Sequence, residues 1–92
     1  MNEFKYRVAR QTILETLSRR RKWGGSHTHY KYAFARIPRE EWGSKEVKQA
    51  FSDLVKEEKI LLKKTVEEAH VSLNTKLSEE IKAEINASIN IY

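Results

Sequence analysis

Apolar residues recur at helical spacing in two well-defined parts of the chain. In residues 3–21 they predict an amphipathic helix, with basic residues between the apolar positions and at the C-terminal end. Its apolar positions are Phe4, Val8, Ile13, Leu14 and Leu17. A more regular stripe follows Ser44, a favourable N-cap, and predicts a helix with one buried face. That stripe consists of Val47, Ala50, Phe51, Leu54 and Val55.

A β-hairpin and a closing helix are predicted after the second helix. Residues 60–66 and 70–74 have the composition of strands, and residues 67–69 would join them as a hairpin. Thr75 or Ser78 could cap the final helix, whose apolar line is Leu77, Ile81, Ile85 and Ile89. This line, with Ile91 and Tyr92, could close a homodimer, or it could cover the domain's own core.

Residues 26–37 fit two patterns. Tyr30, Ala33, Phe34 and Ile37 have helical spacing, whereas Tyr30, Tyr32 and Phe34 alternate as in a short strand. We favour the helix because alanine is a good helix former. Pro38 then interrupts the chain, and residues 39–43 are predicted to form one tight turn.

Length and composition limit the chain to one domain. Its 92 residues suffice for one hydrophobic core, and there is no repeat or linker, so residues 1–92 are interpreted as a single domain. The absence of cysteine excludes disulfides, thiolate zinc sites and cysteine nucleophiles. No apolar run suits a transmembrane helix, and residues 1–5 lack the apolar core of a signal peptide. We therefore expect a small, soluble, cytoplasmic protein without a membrane partner.

The net charge of +5 is unevenly distributed. Residues 1–39 contain ten Lys and Arg and two acidic residues, whereas residues 40–92 contain eight Lys and eleven acidic residues, giving +8 and −3. Residues 19–39 contain no acidic residue, which favours contact with a polyanion. The basic residues of this segment are Arg19, Arg20, Arg21, Lys22, Lys31, Arg36 and Arg39. Those at positions 19–22 could also be simply the favourably charged end of a helix.

Aromatic residues lie among these basic residues. Such a mixture is typical of surfaces that contact phosphates and stack on bases, although the same rings could belong to the core. The aromatic residues are Trp23, Tyr30, Tyr32 and Phe34.

The helix predicted after Ser44 has a polar face opposite its buried stripe. This face consists of Lys45, Lys48, Gln49, Ser52 and Lys56. On DNA its lysines would mainly contact phosphates, whereas Gln49 and Ser52 could reach base edges. A solvated outer face is the alternative interpretation. Glu46 and Asp53 flank the face and would limit the approach of a phosphate.

The element order is similar to that of a winged helix-turn-helix domain. Residues 51–61 (FSDLVKEEKIL) resemble the end of a recognition helix and the first wing strand. Residues 63–65 and 70–74 resemble the wing hairpin of small archaeal winged-helix proteins. The resemblance covers residues 38–82 and, more loosely, residues 3–37. It implies an α+β, mostly helical fold with three to four helices and a two-stranded β-hairpin wing, and double-stranded DNA bound by the helix after Ser44.

The predicted wing departs from this pattern at its tip. Glu67 and Glu68 occupy the turn, where DNA-contacting wings usually have Arg or Lys, and phosphates would repel them. The wing would then point away from DNA or contact a protein.

Metal binding and catalysis have weak support in the sequence. His27 and His29 form an i, i+2 pair with no obvious third and fourth ligand nearby, although His70 is a further histidine. The paired acidic residues point apart along a helix or strand, and Gly24 and Gly25 lack the context of a phosphate loop. We expect no metal, no cofactor and no enzymatic activity.

Three functions are compatible with these features. Double-stranded DNA binding, as in a transcription regulator, agrees with the element order and the basic N-terminal half. RNA binding would use the aromatic residues to stack on unpaired bases. A protein-interaction role would use the acidic hairpin and the apolar line of the last helix.

Overall fold

Residues 1–88 are described by a computed structural model of the chain, and they form three α-helices and one antiparallel sheet. The helices are α1 (Glu3–Arg19), α2 (Lys45–Lys56) and α3 (Ser78–Asn86). The strands are β1 (Thr28–His29), β2 (Ile60–Lys64) and β3 (Ala69–Leu73). Short 3-10 helices comprise Tyr30–Phe34, Arg39–Glu41 and Thr75–Leu77. The predicted α+β, mostly helical class is confirmed.

Helix α1 begins where Asn2 accepts a hydrogen bond from the Lys5 backbone N–H at 3.1 Å. It ends two residues before the predicted position, because Arg21 adopts a left-handed conformation with φ of 56°. The Lys22 N–H then donates to the Leu17 carbonyl oxygen at 3.0 Å, which satisfies a carbonyl of the last turn. Gly24 and Gly25 therefore lie beyond the helix end and do not terminate it.

Helix α2 has the predicted start and the predicted buried face. Its N-cap is Ser44, whose Oγ accepts a hydrogen bond from the Val47 N–H at 3.2 Å. Val47, Ala50 and Leu54 are buried, and Phe51 packs against the same core with part of its surface exposed.

Residues 26–37 contain a strand and a 3-10 helix in place of the single helix that we predicted. In β1, Thr28 pairs with Val71 and His29 pairs with His70. The helical spacing correctly indicated that Phe34 is buried, but β1 depends on pairing with residues distant in sequence. The tight turn predicted after Pro38 is present as the 3-10 helix Arg39–Glu41.

The predicted hairpin is present, and its register places Ile60 opposite Leu73 and Lys64 opposite Ala69. Its turn comprises residues 65–68, so Val66 lies in the turn and not in the strand. The sheet has three strands in the order β1-β3-β2, which corrects the predicted two-stranded wing. Because β3 is the central strand, Val71 and Leu73 are fully buried.

Helix α3 follows a 3-10 turn that Asn74 caps, through a 3.0 Å bond from the Lys76 N–H to its side chain. The predicted cap at Thr75 or Ser78 is therefore wrong. Ile81 is fully buried, and Leu77 and Ile85 pack against the core. Ile89, Ile91 and Tyr92, which we considered for a dimer contact, lie outside the described residues.

The core lies between α1, α2, α3 and the sheet, and α1 packs against both other helices. Its largest fully buried side chains are Ile13, Leu14, Leu17, Leu54, Ile60, Leu73, Ile81 and Val71. Across residues 1–88, no helix combines the length and the apolar character needed to cross a membrane.

Candidate nucleic-acid interface

The outer face of α2 bears three exposed lysines. Lys45, Lys48 and Lys56 point to solvent, and Gln49 and Ser52 lie between them with part of their surfaces buried. None of the three lysines forms an ion pair with any residue of 1–88. Their charges are therefore available to an external anion.

The acidic residues beside this face are engaged in hydrogen bonds. Glu46 accepts a bond from the Asn2 backbone N–H at 2.7 Å, and this bond lowers the pKa of the Glu46 carboxyl. Asp53 accepts hydrogen bonds from the Tyr6 hydroxyl and, at 2.7 Å, from the Gln49 side-chain amide. These two bonds hold the pKa of the Asp53 carboxyl below its ordinary value. Both carboxylates are therefore ionised at neutral pH, and both accept hydrogen bonds from other groups of the domain.

The basic residues at the end of α1 adjoin the 3-10 helix Tyr30–Phe34. The Arg20 guanidinium lies 4.9 Å from the centre of the Tyr32 ring, and Lys31 Nζ lies 5.4 Å from the same centre. Tyr32 is 40% exposed, so the ring and both cations share one surface. We call Arg20, Lys31 and Tyr32 the tyrosine platform.

Three other predicted anion contacts have partners within the domain. Arg36 hydrogen-bonds Glu15, and Arg19 lies 3.7 Å from the same carboxylate. The Arg39 guanidinium lies 5.2 Å from the centre of the Trp42 ring. Arg21 is exposed at the end of α1, and Lys22 is half-buried beside it. Within residues 1–88, the α2 lysines, Arg20 and Lys31 form no ion pair, whereas Arg19 and Arg36 both pair with Glu15.

The aromatic residues divide between the core and the surface. Phe34 is buried and contacts Phe51 and Trp42, with ring centres 5.4 and 5.7 Å away. Tyr30 is 41% exposed and, with Tyr32, can stack on a ligand. Trp23 is half-buried beside β3. The Trp42 indole N–H donates to the Ile37 carbonyl oxygen at 2.8 Å, which anchors the turn before α2.

The side chains of all three histidines lie close together beside the hairpin turn, although His70 is distant in sequence from His27 and His29. The His70 ring centre is 5.6 Å from that of His27 and 6.1 Å from that of His29. Glu68 Oε1 lies 2.6 Å from His70 Nε2, and this bond lowers the pKa of the Glu68 carboxyl. His70 and Glu68 therefore lie close to the His27 and His29 pair, which the spacing in the sequence did not show. Even so, among residues 1–88 no group of three or more such side chains is arranged to hold a metal ion.

An ionic cluster around Arg10 was missed in the sequence. The Arg10 guanidinium donates two bonds to Glu57, at 2.8 and 2.7 Å, and two to Glu84, at 2.7 and 3.0 Å. Lys59 Nζ also donates to Glu84, at 2.8 Å. The available signal was the position of Arg10 beside Ala9 and one turn before Ile13, within the buried face of α1. This cluster joins α1, the end of α2 and α3, and it stabilises the scaffold that presents the outer face.

Acid is expected to destabilise the fold through this cluster. Hydrogen bonds from Arg10 lower the pKa of Glu57. For Glu84, burial raises the pKa, but bonds from Arg10 and Lys59 outweigh burial and lower it overall. The resulting stabilisation is complete above the ordinary carboxyl pKa of about 4.3 and is lost as pH falls through the lowered values. Urea midpoints measured from neutral pH to about pH 3 should decline, and less steeply in Glu84→Gln. Equal declines in both proteins would contradict this assignment.

Comparisons of the chain with protein-family models, with curated proteins and with solved structures give no match.

Proposed function

We propose that this protein binds double-stranded DNA through the outer face of α2, as a regulator of transcription with a winged helix-turn-helix layout. The main support is the presence on one exposed helix face, around Gln49, of three lysines that form no ion pair with residues 1–88. Lysines on such a face contact phosphates and position the helix, while the amide between them can meet base edges.

The arrangement of elements agrees with this proposal. A short turn, Arg39–Glu41, precedes α2, and the hairpin of β2 and β3 follows it directly. The pairing of β1 with β3 adds the third strand that a winged helix-turn-helix layout can accommodate. With 12 residues, α2 is about 18 Å long, which suits a helix lying in the major groove.

The hairpin turn has the wrong charge for a phosphate contact. Its Glu67 and Glu68 are exposed, and Val66 beside them is fully exposed. In our proposal this turn lies away from the DNA backbone, and the tyrosine platform supplies the second basic contact.

Removing one negative charge from the hairpin turn is therefore expected to change DNA affinity little. Glu67→Gln should alter the dissociation constant for duplex DNA less than about twofold, because a carboxylate distant from phosphates is screened at ordinary salt. Lys48→Gln changes the charge by one unit in the opposite direction on α2 and should weaken binding clearly. Fluorescence anisotropy with a labelled duplex measures both. If Glu67→Gln tightened binding tenfold, the hairpin turn would instead lie beside the DNA.

A salt titration tests the proposed function. A labelled random-sequence duplex should bind with micromolar or tighter affinity at low salt. If about five cationic side chains contact phosphates, log K should fall against log salt with a slope of about −4 to −5. Absence of micromolar binding at low salt would refute the proposal.

The tyrosine platform favours a second candidate, which is recognition of single-stranded RNA. An exposed ring beside two cations can stack on an unpaired base while the cations contact phosphates. Under this alternative, a hairpin or single-stranded RNA would bind more tightly than duplex DNA. Tyr32→Ala would then remove more affinity than any single lysine substitution on α2. Preference for the duplex would exclude it.

A further inference from the structure

Helices α1 and α2 are joined by a chain of hydrogen bonds whose donors, Tyr6 and Gln49, converge on Asp53. Arg10 Nη1 donates to the Tyr6 hydroxyl oxygen at 3.1 Å, and the Tyr6 hydroxyl donates to Asp53 Oδ2. The other carboxylate oxygen, Asp53 Oδ1, accepts from Gln49 Nε2 at 2.7 Å. Two hydrogen bonds thus fix Asp53, one from each helix.

This chain determines which way the Gln49 amide faces. A carboxylate accepts hydrogen bonds and does not donate them, so the amide NH₂ group of Gln49 has to face Asp53. The opposite orientation would place the Gln49 carbonyl oxygen against an ionised carboxylate. One N–H of the amide is used by Asp53, and the second N–H and the carbonyl oxygen stay available.

The available amide edge has one donor and one acceptor. Adenine offers the matching pair in the major groove, because its N7 accepts and its N6 amino group donates. Guanine offers two acceptors there, so its O6 would oppose the Gln49 carbonyl oxygen. Because the Gln49 side chain is half-buried and already bonded, ordering it on a base costs little further entropy.

We infer that Gln49 reads an adenine in the major groove, and that Asp53, held by Tyr6, is a positioning residue for the Gln49 amide. This inference rests on the proposed binding of duplex DNA by α2. It adds the base that the helix distinguishes and explains why an acidic residue stands beside a face that meets phosphates.

The variant Asp53→Asn tests whether Asp53 orients the Gln49 amide. An asparagine can donate as well as accept, so Gln49 can turn its amide over and the preference for adenine weakens. The same substitution removes a negative charge that would lie near the DNA phosphates, so affinity for random-sequence DNA should rise. Loss of specificity together with a gain in general affinity is not expected from a residue that only stabilises the fold. Tyr6→Phe should weaken the preference without that gain.

The experiment begins with selection of preferred duplexes from a randomised library by the wild-type protein. Anisotropy then compares the selected duplex with versions in which each adenine is replaced by 7-deazaadenine, which lacks the N7 acceptor, or by guanine. We expect one adenine position at which guanine weakens wild-type binding about tenfold or more and 7-deazaadenine weakens it several-fold. Gln49→Ala should bind all versions equally. Lys48→Ala should weaken binding to every version by the same factor.

The outcomes separate this inference from the proposed function. If no duplex binds at low salt, both fail. If duplexes bind but Gln49→Ala keeps the wild-type base preferences, adenine reading by Gln49 is overturned and DNA binding stands. If Gln49→Ala removes the preference but Asp53→Asn does not, the positioning role of Asp53 is overturned. Urea midpoints of each variant confirm that it is folded under the assay conditions.

Discussion

Replacing Arg10 by alanine is expected to lower the free energy of unfolding by about 2–4 kcal/mol, the largest stability loss that we predict for a polar side chain. The Arg10 side chain is 10% exposed and donates to Glu57 and Glu84 from two different elements. Its removal leaves two carboxylates facing each other with Lys59 as their only compensating cation within residues 1–88. A domain of this length has a total stability of about 5–14 kcal/mol, so the variant loses a substantial part of it.

Urea unfolding followed by circular dichroism measures this loss. Arg7→Ala is the matched control, because Arg7 lies in the same helix and its pair with Glu3 is exposed. It should cost about 0.5 kcal/mol or less. If the two variants had the same free energy of unfolding, the ion pairs around Arg10 would not stabilise the packing of α1 against α2 and α3.

The second large effect concerns binding. The triple variant Lys45→Ala, Lys48→Ala, Lys56→Ala should lose about 10² to 10³-fold in duplex affinity near 0.1 M salt, because each released counterion contributes about eightfold there. The slope of log K against log salt should become shallower by about 2.7. The three side chains are exposed and make no ion pair with residues 1–88, so the fold should be retained.

A triple variant with the same change in net charge serves as the control. Arg7, Lys76 and Lys82 are exposed and lie outside α2, so replacing all three by alanine should leave most of the affinity. If both triple variants lost affinity equally, DNA affinity would depend on the net charge of the protein and not on the lysines of α2. If the α2 variant bound as tightly as the wild type, α2 would not contact the DNA.

The elements that the sequence predicted best are those with local causes. Helix α2 has a cap at Ser44 and an apolar stripe that begins within one turn of the cap, at Val47, so its start and buried face needed no distant partner. The hairpin also followed from local pattern. Strand β1 did not, because a two-residue strand is defined by its pairing with Val71 and His70 and not by its own composition.

The candidate site was predicted in part, for similar reasons. Periodicity alone placed the three lysines and Gln49 on one face of α2. The internal partners of Arg36 and Arg20, which are Glu15 and Tyr32, required the packing of α1 against the following segment. The hydrogen bonds that join Tyr6, Asp53 and Gln49 likewise depend on how two helices meet, which spacing within either helix does not reveal.

Mapping of backbone amide chemical shifts during titration with a short DNA duplex tests the central claim most directly, because it reports both binding and the surface involved. We predict the largest changes in residues 44–56, with further changes in residues 19–22 and 30–36, and small changes in the hairpin turn at residues 65–68. Changes confined to the hairpin turn and α3, or no changes with excess duplex at low salt, would contradict the assignment of α2 as the DNA-binding helix.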